Sequence, residues 1–309
     1  MEWHSTAVGA TGERYEGPPL EDPLRFDATI SRHMVHRASL AEVFPTGMTR
    51  IQEARFLIAA QWPRRHFFYT GTERSPDSAL MAETLRQAVI LLAHGCGVPL
   101  DHKFLMPRMS LQVVPALLDP LRPAEVILET TADAATVRSG NLAELDVTAR
   151  FRLTDGTVLG EGGAAARMLD AATYRRFRAA RMQHESLYRT PRRLDPAAVG
   201  HQDPRNVVLG VGRGAGVWPL VVDTAHPAFF DHPLDHVPGM LLLEAVRQAV
   251  RLGTGRPGLD VTAFTADFGR IVELWHDPEL ELTLLSDTEA VAVISHAGQQ
   301  LAKVRAGWA

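Results

Sequence analysis

Apolar positions predict two helices that are buried on nearly every face. In residues 78–94 apolar side chains cover most of the helix circumference, and the same holds for a helix that starts after Pro238. A helix that is apolar nearly all round is buried rather than half exposed. Gly95 and Gly97 are expected to end the first helix, and Gly253 and Gly255 the second. The apolar positions behind this prediction are Leu80, Met81, Leu85, Val89 and Leu92 in the first helix and Leu241, Leu243, Val246 and Val250 in the second.

Alternating apolar and polar positions predict β-strands after each helix. These strands cover residues 110–114, 125–130, 146–153 and 158–168 in the first half, and residues 261–272, 280–285, 290–295 and 300–308 in the second. Further strands are expected before the helices, at residues 54–60, 207–211 and 218–222. Each half finishes on a hairpin, through Asp155-Gly156 in the first half and Ala297-Gly298 in the second.

An internal repeat relates the two halves. Residues 80–89 recur as residues 241–250, and a pair of phenylalanines precedes each copy, at residues 67–68 and 229–230. The matched polar residues are Glu83 with Glu244, Arg86 with Arg247, and Gln87 with Gln248. Because the flanking landmarks are in step, the match indicates a duplication. One buried helix wrapped by a curled antiparallel sheet is the hotdog arrangement, so the predicted fold class is α+β, a tandem double hotdog.

The predicted organisation has four parts, and a length of 309 residues fits two domains of ordinary size. They are a flexible N-terminal arm at residues 1–30, a hotdog domain at 31–170, an arginine-rich linker at 171–200, and a second hotdog domain at 201–309. Residues 1–23 have no apolar core and are expected to be neither signal peptide nor membrane anchor. The linker either docks an acidic carrier protein or forms an ordinary solvated helix face.

Composition and charge exclude several function classes. A net charge of −4 gives no reason to expect nucleic-acid binding, and no apolar run approaches the roughly 20 residues that span a bilayer. The lone cysteine, Cys96, excludes an intramolecular disulfide and indicates a reducing, cytoplasmic location. Its place at the end of an apolar helix favours a packed thiol over a nucleophile. No cofactor is expected.

The repeated Glu and Arg residues are the candidate catalytic groups. Glu83 and Arg86, like Glu244 and Arg247, stand three residues apart on their helix and therefore face the same side. On an exposed helix such a pair is worth a few tenths of a kcal/mol. Here both helices are buried, where an unpaired charge costs several kcal/mol. Both halves keep these Glu and Arg residues despite the energetic cost of burying their charges. This favours a cavity that the charged side chains line over a surface ion pair without function.

The approach to the second helix carries further candidate residues. His232, Asp235 and His236 precede Pro238, and the amides of Gly239 and Met240 at the helix start could hold a carbonyl oxygen. The first helix lacks this approach, so the second is the preferred site. His226, His232 and His236 with Asp231 and Asp235 are spaced too irregularly to predict a metal site. Acid–base use of His232 or His236 and a structural role remain open alternatives.

A glycine-rich stretch at residues 210–216 looks superficially like a phosphate loop. It lies between two predicted strands and no helix follows it, so the context that a dinucleotide-binding loop requires is missing. A loop that joins two strands is the better interpretation.

The sequence resembles the A-factor biosynthesis hotdog family. Residues 238–248 look like the helix motif of hotdog acyl-carrier-protein dehydratases, but Phe230 stands where those enzymes place their catalytic histidine, and His232 is displaced by two. The run Phe-Phe-Asp-His-Pro-Leu-Asp-His-Val-Pro-Gly-Met-Leu-Leu-Leu-Glu-Ala at residues 229–245, the Val-His-Arg-Ala at residues 35–38 and the duplication fit the A-factor branch better.

The resemblance implies transfer of a β-ketoacyl group from acyl carrier protein to the hydroxyl of dihydroxyacetone phosphate. The ester then closes to a butenolide phosphate, the precursor of a γ-butyrolactone autoregulator. We expect Glu244 or Glu83 to accept the hydroxyl proton, and Arg247 or Arg86 to hold the phosphate or the oxyanion. Substrate contacts are expected at Gly239, Met240, His232, Asp235, His236, Gln87 and Gln248.

Two other function classes stay open. The first is a carrier-protein dehydratase or thioesterase on the same fold. The second is a non-catalytic acyl- or lactone-binding protein, against which the retained Glu and Arg residues argue. Association of two chains into a homodimer is also left open.

Overall fold

The computed structural model describes residues 24–69, 75–138, 141–179, 188–212, 214 and 216–309. The chain divides into two compact units. The first comprises Met1–Pro76 and Leu80–Ala179, and the second comprises Asp77–Ala79 and Ala180–Ala309. Of the arm expected at residues 1–30, residues 1–23 lie outside the described part of the chain. The described remainder contacts the first unit, where Gln61 Nε2 donates to the Phe26 carbonyl and the Ile30 amide donates to the Pro45 carbonyl.

The first unit is an antiparallel sheet with one long helix. Its strands are β1 (Pro45–Gln52), β2 (Arg55–Trp62), β3 (Lys103–Val113), β4 (Ala124–Arg138), β5 (Asn141–Leu153) and β6 (Val158–Leu169), and its long helix is α1 (Ser78–Gly95). The strands pair in the order β1-β2-β4-β5-β6-β3, with each pair antiparallel. A row of apolar residues crosses the sheet, because Ile58 lies opposite Leu128 and Leu128 lies opposite Phe151.

Helix α1 is buried along its length, as its apolar circumference predicts. Met81, Leu85, Val89 and Leu92 have no exposed surface. The indole of Trp62 on β2 donates to the Thr84 hydroxyl at 2.9 Å, which ties the helix to the sheet of its own unit. Burial of a helix on all faces puts any polar residue of α1 into the core as well.

The second unit has the same plan with fewer strands. Its strands are β7 (Val217–Pro219), β8 (Val261–Asp267), β9 (Glu279–Ser286), β10 (Glu289–His296) and β11 (Gln299–Trp308), paired in the antiparallel order β8-β11-β10-β9-β7. Its long helix, α3 (Gly239–Thr254), packs against β8, β9, β10 and β11. Buried alanines at Ala290, Ala292 and Ala306 line the central strands, and small side chains let the helix approach the sheet. Each unit is one hotdog, so the predicted α+β fold with two hotdog domains in tandem is confirmed.

Both predicted hairpins are present, but one predicted helix stop is wrong. Gly156 has φ +93° between β5 and β6, and Ala297 and Gly298 have φ +49° and +75° between β10 and β11. Helix α3 continues through Gly253, where a Cβ would lie 2.7 Å from a methyl carbon of Leu282. The helix ends only at Gly255, whose φ of +64° is left-handed. Gly253 therefore permits close packing and does not stop the helix.

The segment expected to be a linker begins as helix α2 (Ala171–Ala179). Asp170 accepts hydrogen bonds from the amides of Ala172 and Thr173, which caps the first turn. Arg178 is buried, whereas residues 180–187 of this segment lie outside the described residues. In the described part of the chain, no helix is long and apolar enough to cross a membrane.

Candidate active site

The first unit places Glu83 in a buried cluster with two arginines and a glutamine. Glu83 Oε1 accepts from Arg37 Nε at 3.1 Å, Arg86 NH2 at 2.8 Å and Gln87 Nε2 at 2.7 Å, and Glu83 Oε2 accepts from Arg86 Nε at 2.9 Å. Glu83 has no exposed surface, whereas 21% of the Arg86 side chain is exposed. The predicted trio on α1 is therefore brought together and joined by Arg37.

The second unit repeats the cluster around Glu244 with different partners. Glu244 Oε1 accepts from His201 Nε2 at 2.7 Å and Gln248 Nε2 at 2.8 Å, and Oε2 accepts from Arg247 NH1 at 2.8 Å. A second carboxylate, Asp77, accepts from Arg247 NH2 at 3.0 Å. Arg247 Nε is buried without a hydrogen-bond partner among the described residues. A buried donor in this state is costly unless something else accepts from it.

Both glutamates are held in the ionised form. Burial would raise the pKa of Glu244, but the Arg247 charge and the His201 hydrogen bond lower it to about 2. Burial would also raise the pKa of Glu83, but Arg37 and Arg86 lower it to about 2. A carboxylate that is ionised, unexposed and surrounded by donors is a poor proton acceptor. Its charge instead orients the groups that donate to it.

The two glutamines clamp their helix to the chain segment that precedes the sheet. Gln87 Nε2 donates to the Glu42 carbonyl at 2.7 Å, and its Oε1 accepts from the Phe44 amide at 3.0 Å. Gln248 makes the matching contacts with the Asn206 carbonyl at 2.8 Å and the Val208 amide at 3.0 Å. Neither glutamine has exposed surface. This geometry favours a positioning role for Gln87 and Gln248 over the substrate contact expected from the sequence.

A pair of histidines repeats at the entry to the helices. His66 Nδ1 accepts from the amides of Phe68 and Tyr69, and its Nε2 faces Glu42 Oε1 at 3.1 Å. His226 Nδ1 accepts from the amides of Ala228 and Phe229, and its Nε2 faces Asn206 Oδ1 at 3.2 Å.

These contacts place Phe68 and Ala228 at matching positions of the repeat. The phenylalanine pairs at residues 67–68 and 229–230, which were used to recognise the repeat, are therefore two positions out of register.

Burial, the largest influence, lowers the pKa of His226 to about 4, which leaves the ring neutral at physiological pH. Both His226 nitrogens are engaged in holding the turn.

The starts of the two long helices differ in how their amides are used. At α1 the Asp77 carboxylate accepts from the Ala79 amide at 2.7 Å. At α3 Pro238 precedes the helix and provides no side-chain cap, and no hydrogen bond within the described residues involves the Gly239 or Met240 amide. A Cβ on Gly239 would lie 3.3 Å from the Phe268 ring, so glycine allows that ring to approach. The start of α3 is the one that could receive a carbonyl oxygen.

The remaining candidate histidines each pair with the aspartate that precedes them. His232 Nδ1 lies 2.7 Å from Asp231 Oδ1, and His236 Nδ1 lies 2.7 Å from Asp235 Oδ1. The two imidazole side chains are 35% and 25% exposed, respectively. Among the described residues, no group of three or more His, Cys, Asp or Glu side chains is arranged to hold a metal ion.

Two further expectations concern residues outside these clusters. Burial raises the pKa of the Cys96 thiol, which fits a packed thiol better than a nucleophile. In the glycine-rich stretch, a Cβ on Gly210 would lie 2.6 Å from Pro191 and one on Gly212 would lie 2.4 Å from the Val217 carbonyl. Glycine at these positions serves close chain packing, as a strand-joining loop requires; residues 213 and 215 are outside the described part of the chain.

Arg37, His201 and Asp77 were missed by the sequence interpretation. Two of them could have been recognised from the sequence as a matching pair. Arg37 follows the buried Val35 by two residues, and His201 follows the buried Val199 by the same distance. The residues in between, His36 and Gly200, share a left-handed φ of +52° and +76°. The repeat thus extends upstream of the helices to this turn.

Comparison with known proteins identifies the family. The model of the family described as A-factor biosynthesis hotdog domain (AfsA) matches residues 20–170 and 182–267. A curated relative from Streptomyces virginiae, 2-oxo-3-(phosphooxy)propyl 3-oxoalkanoate synthase, is 38% identical over 80% of this chain and 84% of its own length. Proteins of the same name from Streptomyces griseus and Streptomyces coelicolor are 36% and 34% identical over 86% and 72% of this chain, and over 91% and 71% of their own lengths.

Solved structures agree on the fold. The 12:0-ACP thioesterase from Umbellularia californica has a TM-score of 0.52 at 12% identity and covers 84% of this chain and 99% of its own. An acyl-ACP thioesterase from Bacteroides thetaiotaomicron has a TM-score of 0.51 at 10% identity and covers 82% of this chain and 98% of its own. At such low identity the likeness concerns the fold alone. The match of the family model over most of the sequence, together with the curated relatives, shows that the chain belongs to the A-factor biosynthesis hotdog family.

Proposed function

We propose that this chain is an acyltransferase of the 2-oxo-3-(phosphooxy)propyl 3-oxoalkanoate synthase type. That name describes an ester between a 3-oxoalkanoyl group and the free hydroxyl of dihydroxyacetone phosphate. The observation that carries the proposal is the similarity to synthases of this name over 72–86% of the chain. The buried cluster of the second unit adds support, because Glu244, itself held by Gln248, keeps the Arg247 guanidinium in place.

The reaction joins two substrates and releases a thiol. The hydroxyl oxygen of dihydroxyacetone phosphate attacks the carbonyl carbon of a β-ketoacyl thioester carried by acyl carrier protein. The hydroxyl proton passes to a base, the C–S bond breaks, and the thiol of the carrier leaves with a proton. Loss of water between the activated methylene of the acyl group and the ketone then closes a butenolide phosphate, the precursor of a γ-butyrolactone or a related furan or butenolide signal.

The start of α3 supports a place for the thioester carbonyl. The amides of Gly239 and Met240 lie at the positive end of a buried helix, where they can stabilise the oxyanion that forms during attack. The corresponding end of α1 is already occupied by the Asp77 carboxylate, whose charge would repel an oxyanion. This contrast supports the second unit as the catalytic one.

Arg247, further along α3, offers a separate candidate donor. Its NH1 and NH2 groups are held by Glu244 and Asp77, and its Nε is buried without a partner among the described residues. The two carboxylates balance the charge of the guanidinium. A phosphate dianion would therefore be attracted only weakly to this site. A carbonyl oxygen that becomes negative only in the transition state fits the remaining Nε donor better.

Glu244 then acts as an anchor and not as the base expected from the sequence. Its pKa of about 2, its lack of exposed surface and its three donors leave it little tendency to take a proton. Its charge keeps Arg247 oriented, and oriented donors cost no reorganisation during the reaction. His232, Asp235 and His236, which are partly exposed, remain proposed substrate contacts at the approach to α3.

Product analysis by mass spectrometry tests the proposed function. Purified protein is mixed with a β-ketoacyl carrier protein, with and without dihydroxyacetone phosphate. We expect a new phosphorylated ester, or the butenolide phosphate that it forms, only when both substrates are present. Absence of any phosphorylated acyl product with several chain lengths, together with release of the free acid, would contradict the synthase assignment and favour hydrolysis.

A further inference from the structure

The repeated clusters differ at one position that matters for proton transfer. Arg37 in the first unit and His201 in the second occupy corresponding places and donate to the corresponding carboxylates, Glu83 and Glu244. A guanidinium stays protonated at any physiological pH. An imidazole can take up and release a proton near neutrality. The two clusters are therefore alike in shape and unlike in acid–base capacity.

Building on the proposed function, we propose that His201 is the general base of the acyl transfer. Arg37 at the matching position leaves the first cluster without such a base, so that, of the two repeated clusters, only the one in the second unit catalyses the reaction. Glu83 and its partners then hold the first unit together. The proposal rests on the geometry around His201 and on its replacement by arginine in the repeat.

The bond to Glu244 fixes which nitrogen of His201 carries the proton. Glu244 is ionised and can only accept, so the Nε2 atom, 2.7 Å from Glu244 Oε1, is assigned as the N–H donor. The other ring nitrogen, Nδ1, is then the atom that takes up the proton in the proposed step. When Nδ1 takes a proton, the adjacent carboxylate stabilises the imidazolium that forms, as in a nucleophile–histidine–carboxylate triad.

The turn that carries His201 is held in one conformation. Gly200 has φ +76°, and a Cβ there would lie 2.3 Å from the Pro257 carbonyl oxygen. The buried Arg251 donates to the carbonyls of Val199 at 2.8 Å and Leu259 at 3.0 Å. Residues immediately before His201 are thus fixed from both sides. A general base needs this kind of preorganisation because proton transfer depends on sub-ångström placement.

The proton balance of the step is complete with His201 alone. His201 Nδ1 takes the hydroxyl proton as the oxygen of dihydroxyacetone phosphate bonds to the thioester carbon. The resulting imidazolium returns that proton to the sulfur as the C–S bond breaks. The carrier thiol leaves neutral and His201 is restored to its starting state, so no further reactant is required.

Two matched variants test the proposal in the protein as it exists. His201→Gln keeps a donor for Glu244 but cannot act as a base, and Arg37→Gln makes the same change in the first unit. We expect His201→Gln to lower kcat for ester formation by about 100-fold or more, the usual loss of a general base. We expect Arg37→Gln, if folded, to stay within about threefold of the wild type. Thermal unfolding of each variant checks that the fold is retained.

If either glutamine variant fails to fold, a second variant at the same position takes its place in the test. His201→Arg copies the arrangement of the first unit, and Arg37→His keeps a ring N–H for Glu83. A folded His201 variant that retains more than about a tenth of the wild-type kcat would overturn the assignment of the base. Equal losses in the Arg37 and His201 variants would overturn the restriction to the second unit. If the wild type makes no ester, the proposed function itself fails, and the assignment of His201 fails with it.

Discussion

At the scale of single residues, Glu83 and Glu244 illustrate how the energetic cost of a buried charge shapes a site. Burial favours the protonated form of each carboxyl, and several donors around each one reverse that tendency, so that the pKa of both falls to about 2. Such a carboxylate is stable only while all its donors stay in place. The consequence is a fixed, negatively charged anchor at the same position of both helices.

This anchoring gives a prediction for stability against pH. A carboxyl whose pKa is lower in the folded than in the unfolded state stabilises the fold above its ordinary pKa of 4.5, and the contribution is lost as the pH falls toward 2. We therefore expect the free energy of unfolding, measured with urea, to decrease steeply below about pH 4.5.

Glu83→Gln supplies the control for that prediction. The variant should be destabilised by on the order of 3–5 kcal/mol at pH 7, because Arg37 and Arg86 lose their counter-charge. Its stability should also fall less steeply in acid, because glutamine cannot be protonated. An acid dependence equal to that of the wild type would mean that Glu83 is not ionised in the folded protein.

Sequence patterns could identify only part of each cluster. The Glu, Arg and Gln residues stand within one helical turn or so of each other, and their repetition made them visible. Arg37 lies 46 residues before Glu83, His201 lies 43 residues before Glu244, and Asp77 lies 170 residues before Arg247. Contacts over such distances are set by the folding of the chain, and local periodicity carries no information about them.

At the scale of elements, the long helices and the hairpins followed from local patterns, while strand lengths did not. Strand β4 runs over Ala124–Arg138, although alternation predicted only residues 125–130. Its second half carries exposed positions, where pairing with β5 holds the strand without an apolar face. Conversely, β7 covers Val217–Pro219 where a strand was predicted at residues 218–222, and beyond it Leu220 forms an isolated bridge with Leu209.

The two left-handed glycines near α3 give a prediction about the turn that holds His201. Gly200→Ala should be the more damaging change, because its Cβ would meet the Pro257 carbonyl oxygen at 2.3 Å in addition to the strained backbone. Gly255→Ala at the end of α3 meets nothing within 4 Å and should cost only the conformational penalty of about 1–2 kcal/mol.

Denaturant unfolding and kinetics of the two glycine variants check this prediction together. Gly200→Ala should be less stable than Gly255→Ala and should also lower kcat, because its backbone shift displaces His201. If the two variants have equal stability and unchanged kcat, the turn at Gly200 does not hold the catalytic histidine.

At the scale of the whole molecule, duplication supplied two copies of one constellation that have since diverged. Helix, glutamate, arginine and glutamine are retained in both units, and so is the histidine that caps the turn before each helix. The units differ in the residues around this shared core. The first unit has Arg37 and Glu42 where the second has His201 and Asn206. A side chain caps the start of α1, whereas the start of α3 has no side-chain cap. The shared glutamates and glutamines fit maintenance of the fold, and the differing residues fit a catalytic role confined to the second unit.

The most direct test of the synthase assignment is the rate at which the β-ketoacyl carrier protein is consumed as dihydroxyacetone phosphate is varied. We predict that the rate rises from near zero to saturation, with each acyl group recovered as phosphorylated ester or butenolide. A rate independent of dihydroxyacetone phosphate, with the acyl group recovered as free acid, would contradict it and make the chain a thioesterase.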